Sequence, residues 1–563
     1  MNPIYKGQLP PVNTDVLWVY NEEIKIFQNG GWKGISGSGG DSQNAEEFLS
    51  ETSENLIENR AVYNQYMTED DILDIPVVFD SIYRSIPLTF KIISDGNINW
   101  LATAVEGIKT IQYKKNDEEW TSLTSTVSGA TIPVVAGDTV LFKGDNEGYN
   151  VKVGTSWKRT TFMGSTCDYI AEGNIMSLLS STNFENLDSI PYDYCFLNLF
   201  RETNVTDVKN LYFPATSLVG STCYAQMFWA CTKLKNSVRF LPALSIPTSG
   251  YQAMFKNCSS LKNCPEIFAE SMGTKGMSSM FEGCSSLEEA PSVLKIKAVS
   301  KSGYNLTFAY TYNLKKAPKL LMTSVENSGC TGMFGCSGIE EAPYFELESL
   351  GEKALFQMFG GCRQLKVPPI LNATTLSKEC YASMFQAIIH DGNVYCCENL
   401  VTAPELPAVV LAESCYERMF SACLNLKQIT LPATTLAKNC YNQMFAGCES
   451  IESVELPATV LAEGCYEKMF TYITDGGVDY KCKNLKSITL PASTLVKDCY
   501  KYMFNGCNNL SNITCLATDI SAQDCTYNWV TGVASKGTFI KEEDVEWTAG
   551  ENGIPEGWKV IDI

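Results

Sequence analysis

Apolar and polar positions change rhythm along this chain, and each rhythm predicts a different element. Residues 16–35, VLWVYNEEIKIFQNGGWKGI, alternate apolar with polar around two turn signals, which predicts a small β-meander. Residues 42–67 favour a helix, with Leu49, Leu56 and Tyr63 seven apart but only a weak coiled-coil seam. From 86 to about 144, six short alternating runs (PLTFKIIS, INWLATA, KTIQYKKN, EEWTSLTS, ATIPVV, DTVLFKG) predict an antiparallel β-sandwich. From there the rhythm becomes long. A phenylalanine, usually after Met, recurs from Phe200 through Phe228 and Phe255 to Phe504, in eleven steps of 25–28 residues apart from one of 35 and one of 34. A fixed period of that size means a solenoid.

One coil, 431–456, reads LPATTLAKNCYNQMFAGCESIESVEL. Leu436, Cys440, Met444, Phe445, Cys448 and Ile451 fall three to four apart, the spacing of one helical stripe. Val454 and Leu456 then alternate as a short strand that Pro432-type residues end. The expected coil is strand, turn, short helix, turn, with Met444 in the core and Asn442 on the outer face. Because ~25 residues cannot bury this stripe alone, neighbouring coils must supply its partner. The expected fold is therefore multidomain: mostly β N-terminal modules, then a strand/short-helix solenoid of about twelve coils. Its expected parts are a small β module at 1–36, a Gly/Ser joint and helix at 37–72, a sandwich at 73–160, the solenoid at 161–514 and a C-terminal cap at 515–563, where Trp529, Trp547 and Trp558 pack.

The 23 cysteines look like a disulfide framework until they are set in register. Seven, including Cys380, Cys415 and Cys440, share a position that Gly or Ala fills in other coils, and more follow the Phe, as Cys423 and Cys448 do. Such positions want small buried side chains, so thiols rather than disulfides are expected. With one histidine, His390, and no CxxC pair, no metal and no cofactor is expected. The net charge of −20, without a basic cluster, argues against nucleic acid. No apolar run reaches the ~18 residues of a membrane span, and the first residues carry no secretory signal. No nucleophile or P-loop motif appears, so no enzyme is expected.

The coil pattern L-x-x-x-C-Y-x-x-M-F-x-x-C-x-x-L-x-x-I-x-L-P resembles the BspA-like, or treponemal-type, leucine-rich repeat, whose members are mostly bacterial surface or secreted proteins. The layout as a whole also resembles fibre or virion proteins of crAss-like tailed phages that infect Bacteroidales. The residues carrying that second resemblance are VLWVYNEEIKIFQNGGWKGIS, EGNIMSLL, the LPATTLAKNCYNQMF repeats and GTFIKEEDVEW…NGIPEGWKV. It implies a head or tail fibre, located in the virion and assembled in the host cytoplasm. Trp18, Tyr20, Phe27 and Trp32 would then anchor the chain to other virion proteins. It also implies a homotrimer whose repeats bind a bacterial surface glycan or protein. The alternative is a leucine-rich-repeat adhesin at the bacterial cell surface.

Two coils carry matched nine-residue insertions, in QAIIHDGNVYC after Phe385 and TYITDGGVDYK after Phe470. Both read as hairpins around an Asp-Gly turn and are expected to project from one edge as a binding face. The partner-binding candidates are His390, Asp391, Asn393, Tyr395, Asp475, Asp479 and Tyr480, with His390 an exposed turn residue. Neither loop has full calcium-loop spacing.

Overall fold

The computed structural model of this chain describes residues 76–563, apart from 155 and 476, together with the backbone of four short strands nearer the N-terminus. The chain divides into two compact units, Met1–Pro87 and Leu88–Ile563. The first contains β1 (Tyr5–Lys6), β2 (Leu17–Tyr20), β3 (Glu23–Gln28) and β4 (Gly31–Gly34). The last three form an antiparallel meander, with β1 parallel to β2. A short helix, α1 (Pro76–Tyr83), follows. The helix expected within 42–67 lies outside the described residues, as do the side chains of Trp18, Tyr20, Phe27 and Trp32.

The second unit opens with the six alternating runs as strands β5 (Leu88–Ile92), β6 (Gly96–Ala102), β7 (Thr110–Lys115), β8 (Thr121–Thr124), β9 (Ala130–Val134) and β10 (Thr139–Lys143). With β11 (Asn150–Val153), β12 (Ser156–Thr161) and β13 (Tyr169–Asn174) they make two sheets. One runs β13-β5-β10-β7-β8 and the other β11-β12-β6-β9. Alternation places Phe90, Trp100, Phe142 and Tyr169 inward, all fully buried. The ring of Phe90 stacks on Tyr169 at 4.3 Å. β13 also pairs in parallel with Val205–Asp207 and Leu211–Tyr212, so the sandwich sheet runs directly into the first coil and covers its end.

The solenoid spans about residues 189–541 in about 13 turns and contains almost no helix. This corrects the strand/short-helix coil. In the coil at 431–456, the amides of Tyr441, Gln443, Phe445 and Gly447 donate to carbonyls of the next coil, at Cys465, Glu467, Met469 and Thr471, over 2.9–3.0 Å. The alternate amides of Asn442, Met444, Ala446 and Cys448 donate three residues back within the coil, over 3.1–3.2 Å. The segment is a run of tight turns laddered to its neighbour, and every backbone N–H in it is satisfied without a helix. The turns require a left-handed residue every fourth position: Asn439 at φ 53°, Gln443 at 54° and Gly447 at 71°. A four-residue period mimics the helical 3.6, which is why the sequence pattern suggests a helix.

The turn geometry also relocates Asn442. It is buried at 8% exposure, its amide nitrogen 3.3 Å from Glu467 Oε2, and is not an outer-face residue. Met444 and Phe445 are fully buried as expected. The recurrent phenylalanines stack face to face from Phe200 and Phe228, 5.2 Å apart, to Phe470 and Phe504, 5.8 Å apart. The phenylalanine stack ends at Phe504: in the next coil Trp529 takes the register of Met503, stacking on Tyr500 at 6.0 Å and lying tilted 6.0 Å from Phe504. Trp547 stacks on Trp529 at 5.6 Å, and Trp558 is buried with its indole N–H 2.7 Å from the Ala534 carbonyl. Four parallel strands, Ser487–Leu490, Asn512–Cys515, Thr538–Lys541 and Lys559–Asp562, close this end.

All 23 cysteines are free thiols, and all but Cys264 are buried. Those after the Phe share a task. Cys258, Cys284, Cys362 and Cys448 each direct Sγ to the carbonyl of the previous coil's Phe, at 3.0 Å. The position wants a small side chain with a donor; Thr311 fills it too, but bonds the carbonyl of its own coil's Phe308, at 2.7 Å.

Candidate functional site

The two insertions form the hairpins Ile388–His390 with Asn393–Tyr395, and Ile473–Asp475 with Val478–Tyr480. The Asp-Gly turn sets the first, with Asp391 at φ 48° and Gly392 at φ 73°. The expectation that this hairpin projects is corrected: it folds back over three earlier coils. His390 stacks on Tyr310 with ring centroids 3.9 Å apart, and Tyr395 stacks on Tyr312 at 5.7 Å. The guanidinium of Arg363 lies 5.1 Å over the Tyr395 ring and donates to the Val394 carbonyl at 3.0 Å. The same guanidinium is 3.3 Å from Glu398.

Small residues make room beneath the hairpin. The position after the recurrent Phe holds Trp229, Lys256 and Glu282 in early coils but Ala309, Gly335 and Gly360 under the hairpin. A Cβ at Gly360 would sit 2.8 Å from Ile388 Cδ1, and one at Gly361 3.0 Å from Tyr395 Cβ. The second hairpin repeats the device at Gly447, where a Cβ would meet Ile473 at 2.8 Å and Tyr480 at 3.0 Å. This glycine signal was present in the sequence, since glycine marks close approach of another segment.

The structure places each candidate residue. His390 is half-buried against Tyr310 rather than an exposed turn residue, although its Nε2 is 3.3 Å from the Asp391 carboxylate. Asp391 and Asn393 are exposed at the hairpin tip, and Tyr395 is half-buried. On the second hairpin, Asp479 accepts from Thr474 Oγ1 at 2.6 Å and lies 3.8 Å from Lys481. Tyr480 is half-buried, and the side chain of Asp475 is outside the described residues. Among the described residues no cluster of His, Cys, Asp or Glu is placed to hold a metal.

Residues outside the candidate set complete the first hairpin's surroundings. Tyr310, Gln357, Gln386, Leu306, Ile388 and Ile389 line a recess of about 420 Å³ beside it. Around the solenoid, ion pairs join successive coils. Glu463 bridges Lys438 at 3.2 Å and Lys497 at 3.0 Å, and the hydrogen bond from Lys497, then that from Lys438, holds its carboxyl below the usual range. Such exposed pairs contribute little each, and they spread the acidic charge along the particle. No helix among the described residues is long and apolar enough to cross a membrane.

Residues 388–517 and 478–532 match the family model described as BspA type leucine rich repeat region. Among solved structures, the chain is similar to a leucine rich cell surface protein from Faecalibacterium prausnitzii A2-165. Identity is 16%, the match covers 66% of this chain and 88% of that one, and the TM-score is 0.31. It is also similar to a leucine-rich repeat protein from Bacteroides ovatus ATCC 8483, at 18% identity over 58% of this chain and 92% of that one, with a TM-score of 0.22. No curated protein matches the chain. Residues 388–532 of this chain are thus similar to leucine-rich repeats of the BspA type.

Proposed function

We propose that this chain is a cell-surface leucine-rich-repeat adhesin: a rigid solenoid that holds a binding face away from its attachment point and carries out no chemistry. The observation that carries this reading is the reclined hairpin. It is one of the two sites where the repeat departs from its period, and here the departure is held in place by aromatic and cation contacts across three coils. The titratable groups that burial shifts furthest are core thiols and tyrosines turned away from any surface, which suits a scaffold.

The match to BspA-type repeats supports the surface adhesin over the virion fibre; nothing in the comparisons supports the fibre. Antibodies raised against residues 189–541 decide between them. Labelling of intact, unpermeabilised bacteria that express the chain is the expected result. Labelling only after permeabilisation, or labelling of purified phage particles instead, would overturn it.

A further inference from the structure

We propose that the recess beside the first hairpin is a binding site for the neutral terminal sugar of a glycan, an inference that rests on the adhesin reading and names its ligand class. The recess, at about 420 Å³, lies within the ~300–1,000 Å³ range of small-ligand clefts and is open to solvent on one side. That shape admits the end of a chain. Its walls carry two chemistries. Leu306, Ile388 and Ile389 give apolar surface, and Ile389 stays 59% exposed. Gln357, Gln386 and Tyr310 give polar groups, and among the described residues neither glutamine amide has a hydrogen-bond partner.

An amide supplies two donors and an acceptor, and a phenol supplies one of each. Together they match vicinal hydroxyls that both donate and accept, while the apolar wall matches the C–H face of a pyranose. No charged side chain lines the recess. Arg363, the nearby cation, is committed to Tyr395, the Val394 carbonyl and Glu398. An anionic sugar would find no counter-charge there, and the net charge of −20 would repel it. A purely apolar ligand would strand both amides. Gly332 and Gly335 keep the floor empty. A Cβ at Gly335 would sit 3.3 Å from the Gly332 carbonyl oxygen and 3.6 Å from Ile388 Cδ1, so a side chain there enters the hollow at the cost of a small backbone adjustment.

The test is full-length protein on an array of immobilised oligosaccharides ending in galactose, mannose, fucose or N-acetylhexosamine. Sialylated and sulfated versions and unglycosylated peptides are printed beside them. Retention on one or more neutral termini is expected. It should weaken about tenfold or more in Gln357→Ala/Gln386→Ala, which removes both amides, and in Gly335→Val, which fills the hollow. Deletion of 471–479, on the other hairpin, should leave it unchanged. Unaltered thermal unfolding shows that a variant is folded; if Gly335→Val is not, the double glutamine variant decides. The proposal is overturned if no neutral terminus is retained, if anionic glycans or peptides are preferred, or if the folded glutamine variant binds like the parent. A chain that labels at the cell surface but ignores neutral glycans overturns this inference alone. A chain that binds them but never reaches the surface overturns the adhesin reading alone.

Discussion

His390 and Tyr310 stack with ring centroids 3.9 Å apart and planes inclined by 24°, although 80 residues separate them in the sequence. The contact ties a hairpin tip to a coil three turns away and makes the insertion part of the solenoid's surface. An aromatic pair of this kind contributes roughly 0.5–1.5 kcal/mol beyond the area it buries. His390→Ala should therefore loosen the hairpin without unfolding the solenoid. Amide hydrogen exchange across 388–395 is expected to quicken by about threefold to tenfold, with the melting temperature nearly unchanged. Unchanged exchange would show that the stacking does not hold the hairpin down.

Gly361 should resist substitution more than Gly392. Both have left-handed φ, at 68° and 73°, so both carry the conformational penalty of about 1–2 kcal/mol for a non-glycine residue. Only at Gly361 would a Cβ also meet neighbours, with Cys336 Sγ at 2.8 Å and Tyr395 Cβ at 3.0 Å. Gly361→Ala is expected to cost about 1–3 kcal/mol more than Gly392→Ala in urea unfolding.

Lys275 separates the turn ladder from a helix. It is exposed, at φ 56°, and its amide donates to the Lys301 carbonyl of the next coil. In a helix, Lys275→Gly would be about 1 kcal/mol less stable than Lys275→Ala. In the left-handed turn the order reverses, because alanine keeps the Cβ clash that glycine lacks. Glycine is expected to be the more stable variant by about 0.5–1 kcal/mol.

The buried thiols should make the protein sensitive to alkali. Burial raises Cys231 from 9.0 to about 11 and Cys515 to about 12, and other core thiols and tyrosines move the same way. Below pH 9 both the folded and unfolded chains keep these protons, so the stabilisation is fully present. Above it the unfolded thiols ionise while the folded ones do not. Stability then falls by up to about 1.4 kcal/mol per pH unit for each such thiol, until the pH passes the folded value. The midpoint in urea is expected to be level from pH 7 to 8.5 and to drop steeply between pH 9 and 11. Iodoacetamide at pH 8 should label the native protein slowly and the unfolded protein fully.

Met444→Ala is expected to cost about 2–5 kcal/mol, since Met444 is fully buried beside the phenylalanine stack. Asn442→Ala should also destabilise, by about 1 kcal/mol, because Asn442 is buried and hydrogen-bonded to Glu467. No cost for Asn442→Ala in urea unfolding would contradict its burial and its bond to Glu467.

Much of the fold was legible because a repeat multiplies its own evidence. Cys440, Met444 and Phe445 recur in so many coils that their burial could be read without coordinates. The backbone between them could not, because Cys440, Met444 and Cys448 lie four apart in a turn ladder and nearly fit a helix. The coil after Phe504 broke the count because Val530 stands at the phenylalanine register and Trp529 at the methionine register. The insertions were visible from the broken period, but the posture of the first was not. Tyr310, Tyr312 and Arg363 belong to other coils, and local pattern carries no information about contacts three turns away. The glycines Gly335, Gly360 and Gly361 were the readable trace of that contact.

The most direct test compares attachment of fluorescently labelled full chain to a glycoprotein-coated surface with that of two deletions. Removing 386–394 leaves Phe385-Tyr395-Cys396-Cys397, and removing 471–479 leaves Phe470-Tyr480-Lys481-Cys482, so each restores the uninterrupted repeat. Both variants should keep the parent's melting temperature. Loss of attachment on removing 386–394, with attachment retained on removing 471–479, is the predicted result. Full attachment by the folded 386–394 deletion would contradict the claim that the reclined hairpin forms the binding face.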